Sequence, residues 1–486
     1  MKLRTVELKN YRCYEKNDFH FGSDTTLIIG KNGTGKSSLL SAIRKGMSFI
    51  FSNTGSNELI KNNSNKIEGL NDWDTTYLEF GEGFQWPTNI GYEIETDDDS
   101  ISWKFYKDKY GGKLHPTYYK SAQQKFQKHY LIESNILPLL GFYGDCYPHK
   151  RKENNKVVND FNKILTKSIS LPRDIGYALW SDEGSITSSW FLRTKFILNE
   201  IQKDVDSIKI ISEEINELQK RLSSFSVVDD INASLIQIKT LDQRLNLIKK
   251  RYNDQTRPLE KEYEFVTEKV MQFFSNIGEL DTDDLILFDI KKRRTEKSEA
   301  LFFSFGKKNS INEGVFNEEA LPMGYMRLLH IVYDIAYRWY LLNGEALLFD
   351  GLVLIDELEL HLHPSLQQTV LQRFRKTFPG LQFIVTTHSP IILSNFNADE
   401  ESTKIIQLEK KDGIYIDEEL PNLFSMDYNS NLVNVMGVNI SNKLLDAYIN
   451  AFRFLNGENN PMAKDYYQKI EDLFDGKIPD FIKEKL

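Results

Sequence analysis

Gly30-Lys31-Asn32-Gly33-Thr34-Gly35-Lys36-Ser37 follows the apolar run Leu27-Ile28-Ile29 and precedes Leu39-Leu40-Ser41-Ala42-Ile43. The octet fits G-x-x-x-x-G-K-[ST], and its flanks are what that pattern needs: a strand to deliver the loop and a helix whose positive end faces phosphate. Three glycines let the backbone curl so that its N–H groups point inward. Lys36 can then reach the β and γ phosphates, and Ser37 can ligate magnesium. The pattern predicts binding of ATP or GTP.

A second stretch, Leu352-Val353-Leu354-Ile355-Asp356-Glu357, reads as a buried parallel strand with two acids at its carboxyl end, where ligands of open α/β sheets collect. Asp356 suits the magnesium shell, and Glu357 suits orienting or deprotonating an attacking water. About thirty residues later, Phe383-Ile384-Val385-Thr386-Thr387-His388-Ser389 is a short β-branched strand ending in histidine. A neutral imidazole at His388 could donate to the γ-phosphate. Phosphate loop, acid pair and strand-terminal histidine in this order predict an ABC-type ATPase head of the α/β class, with ATP and Mg2+ as cofactors.

On these motifs the chain resembles the ABC-class ATPases of the SMC, RecF and RecN kind. Leu3-Arg4-Thr5-Val6-Glu7-Leu8-Lys9-Asn10-Tyr11-Arg12 looks like the first strand of that family, and the resemblance implies that Arg12 approaches the nucleotide. Glu357-Leu358-Glu359-Leu360-His361-Leu362-His363-Pro364 is similar to the D-loop of the overcoming-lysogenization and RecF-like branch. A metal site at the two histidines is the alternative. Leu321-Pro322-Met323-Gly324-Tyr325 is the best match to the signature sequence that ABC proteins present to the nucleotide of a second subunit. There Gly324 would allow close backbone approach. Pro322 stands where the family has a serine hydroxyl, so slow hydrolysis is expected. The nucleotide contacts implied are Arg12, Gly30, Asn32, Gly33, Thr34, Gly35, Lys36, Ser37, Ser38 and Gly324, with Ser37 and Asp356 on the metal and Glu357 and His388 catalytic. Gln85, Gln123 and Gln124 are candidates for the family's sensor glutamine, and no context selects among them.

The chain's 486 residues exceed one ordinary core. Two cysteines, Cys13 and Cys146, give neither a disulfide framework nor a metal knuckle. The amino terminus starts a strand in place of a leader, and no apolar run approaches a membrane span, so a cytoplasmic location without a membrane partner is expected. A net charge of −9 argues against wholesale coating of nucleic acid. The runs His149-Lys150-Arg151-Lys152 and Lys291-Lys292-Arg293-Arg294 could touch phosphates, although a solvated loop is the plainer reading of each.

The expected organisation is an ATPase half over 1–52, a β-rich insertion over 53–150 rejoining the core, a connecting segment over 151–190, a helical hairpin over 191–275, the second ATPase half over 276–400, and a hairpin with a small helical tail over 401–486. Within the helical hairpin, Ile201, Val205, Ile208, Ile211, Ile215, Leu218 and Leu222 repeat in spacing with Ile231, Leu235, Ile238, Leu241, Leu245, Ile248 and Tyr252. Such stripes predict a short antiparallel coiled coil. Residues after His388 carry no visible nuclease set. This combination resembles the ATPase subunits of Septu-type anti-phage systems, the PtuA family, with retron-linked Septu and PARIS ATPases as neighbours. The resemblance implies a homodimer or higher oligomer with shared ATP sites, restraining an HNH-type nuclease or another effector, with DNA or retron nucleic acid as a further candidate partner. A RecF-like DNA-repair ATPase is the rival reading, and a transporter motor is disfavoured by the altered signature and the coiled coil.

Overall fold

The computed structural model describes residues 1–48, 68–78, 83–96, 99–133, 136–144, 155–180, 187–222, 228–275, 286–294, 299–307, 310–317, 320–399, 402–411, 413–437, 443–474, 478–483 and 486. Strands β1 (Lys2–Tyr11) and β2 (Tyr14–His20) form an antiparallel pair, and β3 (Thr25–Gly30) leads into α1 (Lys36–Met47). After the short pair β4 (Tyr77–Leu78) and β5 (Gly83–Phe84) come β6 (Thr88–Glu95) and β7 (Ser100–Lys107). These two do not build a separate lobe, as the sequence suggests. β6 pairs with the free edge of β1, giving a four-stranded antiparallel sheet in the order β2-β1-β6-β7. Helix α2 (Lys120–Gln127) packs on β7, and β8 (Leu139–Tyr143) returns to the second sheet.

Helix α3 (Asn155–Lys167) precedes the long α4 (Thr187–Leu222), which is followed by α5 (Val228–Arg251) and α6 (Arg257–Ser275). α4 and α5 form the expected hairpin. Its seam closes through Ile211 and Ile215 against Ile238 and Leu245, flanked by Ile208, Leu218, Leu222, Leu241 and Ile248. Val205 and Leu235 lie outside the seam and are exposed, and Ser234 is buried one position before Leu235. The stripe read from the sequence is therefore out of phase there, since a 3.6-residue helix drifts against a 3.5-residue repeat. At the base of the hairpin, a π-helical turn over Tyr252–Thr256 separates α5 from α6, and buried Asp204 of α4 accepts from Thr256 Oγ1 at 2.6 Å and pairs with Arg251.

The second ATPase half begins with β9 (Ile286–Arg294), β10 (Glu299–Lys307) and β11 (Ser310–Asn317), a three-stranded antiparallel sheet. The basic run 291–294 is thus strand and not loop. Lys291 pairs with Asp289 at 2.5 Å, and Arg293 lies over the Phe302 ring. The run 149–152 falls outside the described residues. Helix α7 (Met323–Asn343) follows, then β12 (Gly351–Ile355), α8 (Pro364–Thr377), β13 (Leu381–Thr387), α9 (Pro390–Ser394), β14 (Thr403–Lys411) and β15 (Ile414–Leu420). The main sheet runs β15-β14-β3-β13-β12-β8, parallel except for β15. β12 and β13 are buried along their whole length, which is why their sequences are continuous apolar runs without alternation. α1 lies between the sheets: Tyr92 of β6 donates its hydroxyl to the Ala42 carbonyl at 2.8 Å.

Hairpin β14–β15, assigned from sequence to the tail, belongs to this sheet because β14 pairs with β3. The chain accordingly divides after Phe424 and not near residue 400. The second unit, 425–486, holds α10 (Tyr428–Ser430), α11 (Lys443–Gly457), α12 (Ala463–Leu473) and α13 (Asp480–Lys483) around Ile449, Ile470, Ile478 and Ile482. Among the described residues, no helix is long and apolar enough to cross a membrane.

Helix α7 is buried on all sides from Arg327 to Trp339. Buried Asp334 is accordingly held by several donors. Asp334 accepts from Tyr143 of β8 at 2.8 Å, from Trp190 of α4, and from Arg338 at 2.7 Å. Burial also pushes His330 down to about 3. Below its ordinary value of 6.5 the unfolded chain takes up a proton that the folded chain refuses, so stability falls with falling pH until about pH 3. The expected slope from this residue is about 1.4 kcal/mol per pH unit, and urea titrations at pH 7 and pH 5 should show it shrinking in His330→Phe. An unchanged slope in that variant would show that His330 is already charged in the folded chain.

Candidate nucleotide site

The phosphate loop joins β3 to α1 in the middle of the main sheet. Gly35 has φ +98°, and a Cβ there would meet the Tyr14 hydroxyl at 2.4 Å, so the loop closes against the Cys13-Tyr14 turn only with glycine at this position. The first turn of α1 carries no acidic residue, and no side chain caps it. Its N–H groups and the positive end of the helix dipole are available to an anion. Lys36 Nζ donates to the Gly30 carbonyl at 2.8 Å and to the Lys31 carbonyl at 3.1 Å. Burial lowers the Lys36 pKa, while Asp356, Glu357 and Glu359 pull it upward, which places its ammonium within electrostatic reach of the strand-end acids. Asn32, Gly33 and Ser37 are exposed, Thr34 is buried with its hydroxyl on the Lys31 carbonyl at 2.8 Å, and Ser38 is bonded to Cys13.

At the end of β12, Asp356 is buried, and its carboxylate accepts from Thr386 Oγ1 of β13. The same hydroxyl accepts from the Glu357 backbone N–H at 2.8 Å. Thr386 thus ties the two acids to the neighbouring strand. Glu357 sits at φ +49°, a left-handed conformation unfavourable for a side-chain-bearing residue and found where structure holds it in place. Glu359 accepts from the His388 N–H at 2.5 Å and from Thr387 Oγ1 at 2.6 Å. Burial and the Lys36 charge lower the His388 pKa, and Glu359 and Asp356 oppose them. The imidazole is therefore held toward its neutral form.

Two residues expected at the nucleotide have close intrachain neighbours. Arg12, also at positive φ, sends its Nε to Asp74 Oδ1 at 3.0 Å, and Asp74 is held in turn by Lys45 at 2.7 Å. Its guanidinium is part of an ion-pair cluster. Gly324 makes its close approach within its own chain, since a Cβ there would stand 2.5 Å from the His361 carbonyl. Pro322 and Met323, just before it, are exposed. Gly324→Ala should therefore cost about 1–2 kcal/mol despite alanine's better helix propensity, because the obstacle is backbone. A thermal melt no lower than that of the parent would show that the segments separate freely.

Thr386, Glu359, Asp74 and Arg327 were not singled out by the sequence. Arg327 donates to the Asp356 carbonyl at 2.7 Å, joining α7 to the end of β12. His363 caps α8, accepting from Ser365 N–H, and among the described residues no group of three or more His, Cys, Asp or Glu is placed to hold a metal. Gln123 and Gln124 lie on α2, and Gln85 follows β5, all on elements outside the six-stranded sheet.

Residues 1–393 match the AAA_15 family, described as an AAA ATPase domain. The chain belongs to this family. This AAA_15 chain is 28% identical over 421 residues to the Retron Vc95 probable ATPase of Vibrio cholerae, covering 82% of this chain and 73% of that protein. It is 25% identical over 424 residues to the Retron Ec83 probable ATPase of Escherichia coli, covering 80% and 69%. The Septu protein PtuA of Bacillus mycoides is 29% identical over 168 residues, 34% of this chain and 22% of that protein. Among solved structures, the SMC head domain from Thermotoga maritima is similar at TM-score 0.40 and 9% identity, covering 87% of this chain and all of that one. The AAA_15 chain is an ATPase related to these retron ATPases and to PtuA.

Proposed function

We propose that the chain binds ATP with Mg2+, hydrolyses it slowly, and uses the nucleotide state of a dimer or larger oligomer to restrain an effector nuclease in anti-phage defence. The observation that carries the nucleotide part is the gathering of Lys36, Asp356, Glu357, Glu359 and His388 at one end of the main sheet, beside an uncapped helix N-terminus. The donor set fits magnesium, a hard cation satisfied by one carboxylate, a hydroxyl, water and phosphate oxygens. Asp356 and Ser37 would hold it, and when bound it would offset charge on the phosphates. Glu357 would orient or deprotonate the attacking water, and neutral His388 would donate toward the γ-phosphate.

Sharing of the site between copies is supported by the exposed Pro322-Met323 start of α7 next to the buried Gly324. Slow turnover follows from Pro322, which supplies no hydroxyl to the phosphate. The defence role is supported by the retron relatives, which align over four fifths of the chain. Purification from the native operon, with mass spectrometry of whatever accompanies the chain, tests the regulatory part. A nuclease held in ATP-dependent complex is the expected result. DNA cleavage by the purified chain alone with magnesium would overturn it.

A further inference from the structure

Between Trp103 and Lys128 the sequence carries seven lysines and a single acid, Asp108, in a chain of net charge −9. The same stretch contains seven Trp, Tyr or Phe residues interleaved with the lysines. Six of the seven lysines are exposed, and the seventh, Lys107, is bonded to Asp72 at 2.7 Å with its ammonium over the Trp86 ring. The fold places this segment at one end of the antiparallel sheet. There the register lines up Lys16, Lys9, Asn89 and Tyr106 across the outer face, and Tyr118 packs on Tyr106 at 5.1 Å between ring centroids. Of the acids of that face, Asp18 and Glu7 stand in the next row, level with Lys104, and Glu93 and Glu95 lie further toward the opposite end.

A group of rings extends the same end beyond the strands. Phe84 touches Trp73, Tyr77, Trp86 and Tyr110, with centroid separations between 5.1 and 6.2 Å. Three of these rings face solvent to an extent unusual for their size: Trp73 is 81% exposed, Tyr110 68% and Tyr77 56%. Exposed aromatic clusters of this kind mark a binding surface. Both unpaired nucleobases and another protein could use the rings. The rings' own segment carries acids, but Glu68, Asp72 and Asp74 are paired with Arg44, Lys107, Lys45 and Arg12, and the lysine-rich stretch beside them decides for nucleic acid, because flat rings next to cations match the alternating bases and phosphates of a single strand.

We infer that this end of the antiparallel sheet binds single-stranded nucleic acid, with the rings of Trp73, Tyr77 and Tyr110 stacking on unpaired bases and Lys109 and Lys113 near the phosphates. The Trp73 segment is tied to the turn on which the phosphate loop closes, the Arg12 N–H donating to the Asp74 carbonyl at 2.8 Å, while stacking on bases itself requires no ATP hydrolysis. Duplex DNA presents no open base faces to it, so discrimination against duplex is part of the proposal.

The test is fluorescence anisotropy with labelled oligo(dT) and oligo(U) of about 20 nucleotides and a duplex of the same length, at low salt. The intact chain should bind at least one single strand more tightly than the duplex, and the stronger of the two tells DNA from RNA. Trp73→Ala and Tyr110→Ala should each weaken binding about five-fold or more, from roughly 1–3 kcal/mol per stacked base. Lys109→Glu with Lys113→Glu should flatten the salt dependence, and binding should quench the parent's tryptophan fluorescence more than that of Trp73→Ala. These side chains are exposed, so the melting temperature should not change. Equal binding of duplex, no binding of either single strand, or a Trp73/Tyr110 double variant with parental affinity would each overturn the proposal. Loss of a co-purifying protein in that variant, with no oligonucleotide bound by the parent, would equally overturn it.

Discussion

Lys36→Ala should abolish ATP binding while leaving the fold intact. In the structure the Lys36 ammonium bridges the carbonyls of Gly30 and Lys31, at the mouth of a loop whose helix N-terminus has no competing acid. A triphosphate placed there would meet this single point charge with two of its phosphates. Charge-assisted hydrogen bonds contribute about 1.5–3 kcal/mol each, so losing both corresponds to at least about a hundred-fold in affinity. Lys36→Arg should fail nearly as badly, since a planar guanidinium on a longer stem does not replace a compact ammonium. Titration with a fluorescent ATP analogue measures the loss, and a thermal melt without nucleotide checks the fold. Affinity within a few-fold of the parent would mean that the loop holds phosphate through backbone alone, or not at all.

The residues this prediction rests on were legible in the sequence because their chemistry is local. A phosphate loop is eight consecutive residues, and the acids and the histidine each end an apolar run, so Lys36, Asp356, Glu357 and His388 could be read without knowing the fold. Thr386 and Glu359 stood inside those same runs and still went unassigned, because what distinguishes them is a hydrogen bond across to a neighbouring strand about thirty residues away. Asp74, which holds Arg12, comes from a segment 62 residues distant with no motif of its own. The strands were visible as apolar runs or as alternation, but neither pattern names a strand's partner. Hence β6 and β7 read as an insertion and β14 as tail, when each fills an edge that β1 or β3 leaves unpaired. Gly324 shows a related limit. Its need for close approach was readable, and whether the approaching group belongs to the same chain or a second copy was not.

Glu357→Gln should do the reverse of Lys36→Ala: ATP stays bound and the oligomer accumulates. The substitution keeps the side chain's length and its capacity to position water, and it leaves the strained φ of +49° under the same restraints from Thr386. What it removes is the carboxylate's basicity, worth about 10²- to 10⁴-fold in rate when a general base is lost. If Leu321 to Tyr325 of one copy closes over the phosphates of another, ATP is the ligand that joins the copies, and slowing its hydrolysis raises the population of the joined state by mass action. Mass photometry with ATP should then show Glu357→Gln as a dimer or larger, Lys36→Ala as the smaller species, and the parent between them. The doubly substituted chain should behave as Lys36→Ala, because a state that requires bound ATP cannot be stabilised by preserving ATP that never binds. Identical sizes for both single variants in the presence of ATP would remove the shared site, and the Pro322-Met323 surface would then need another explanation.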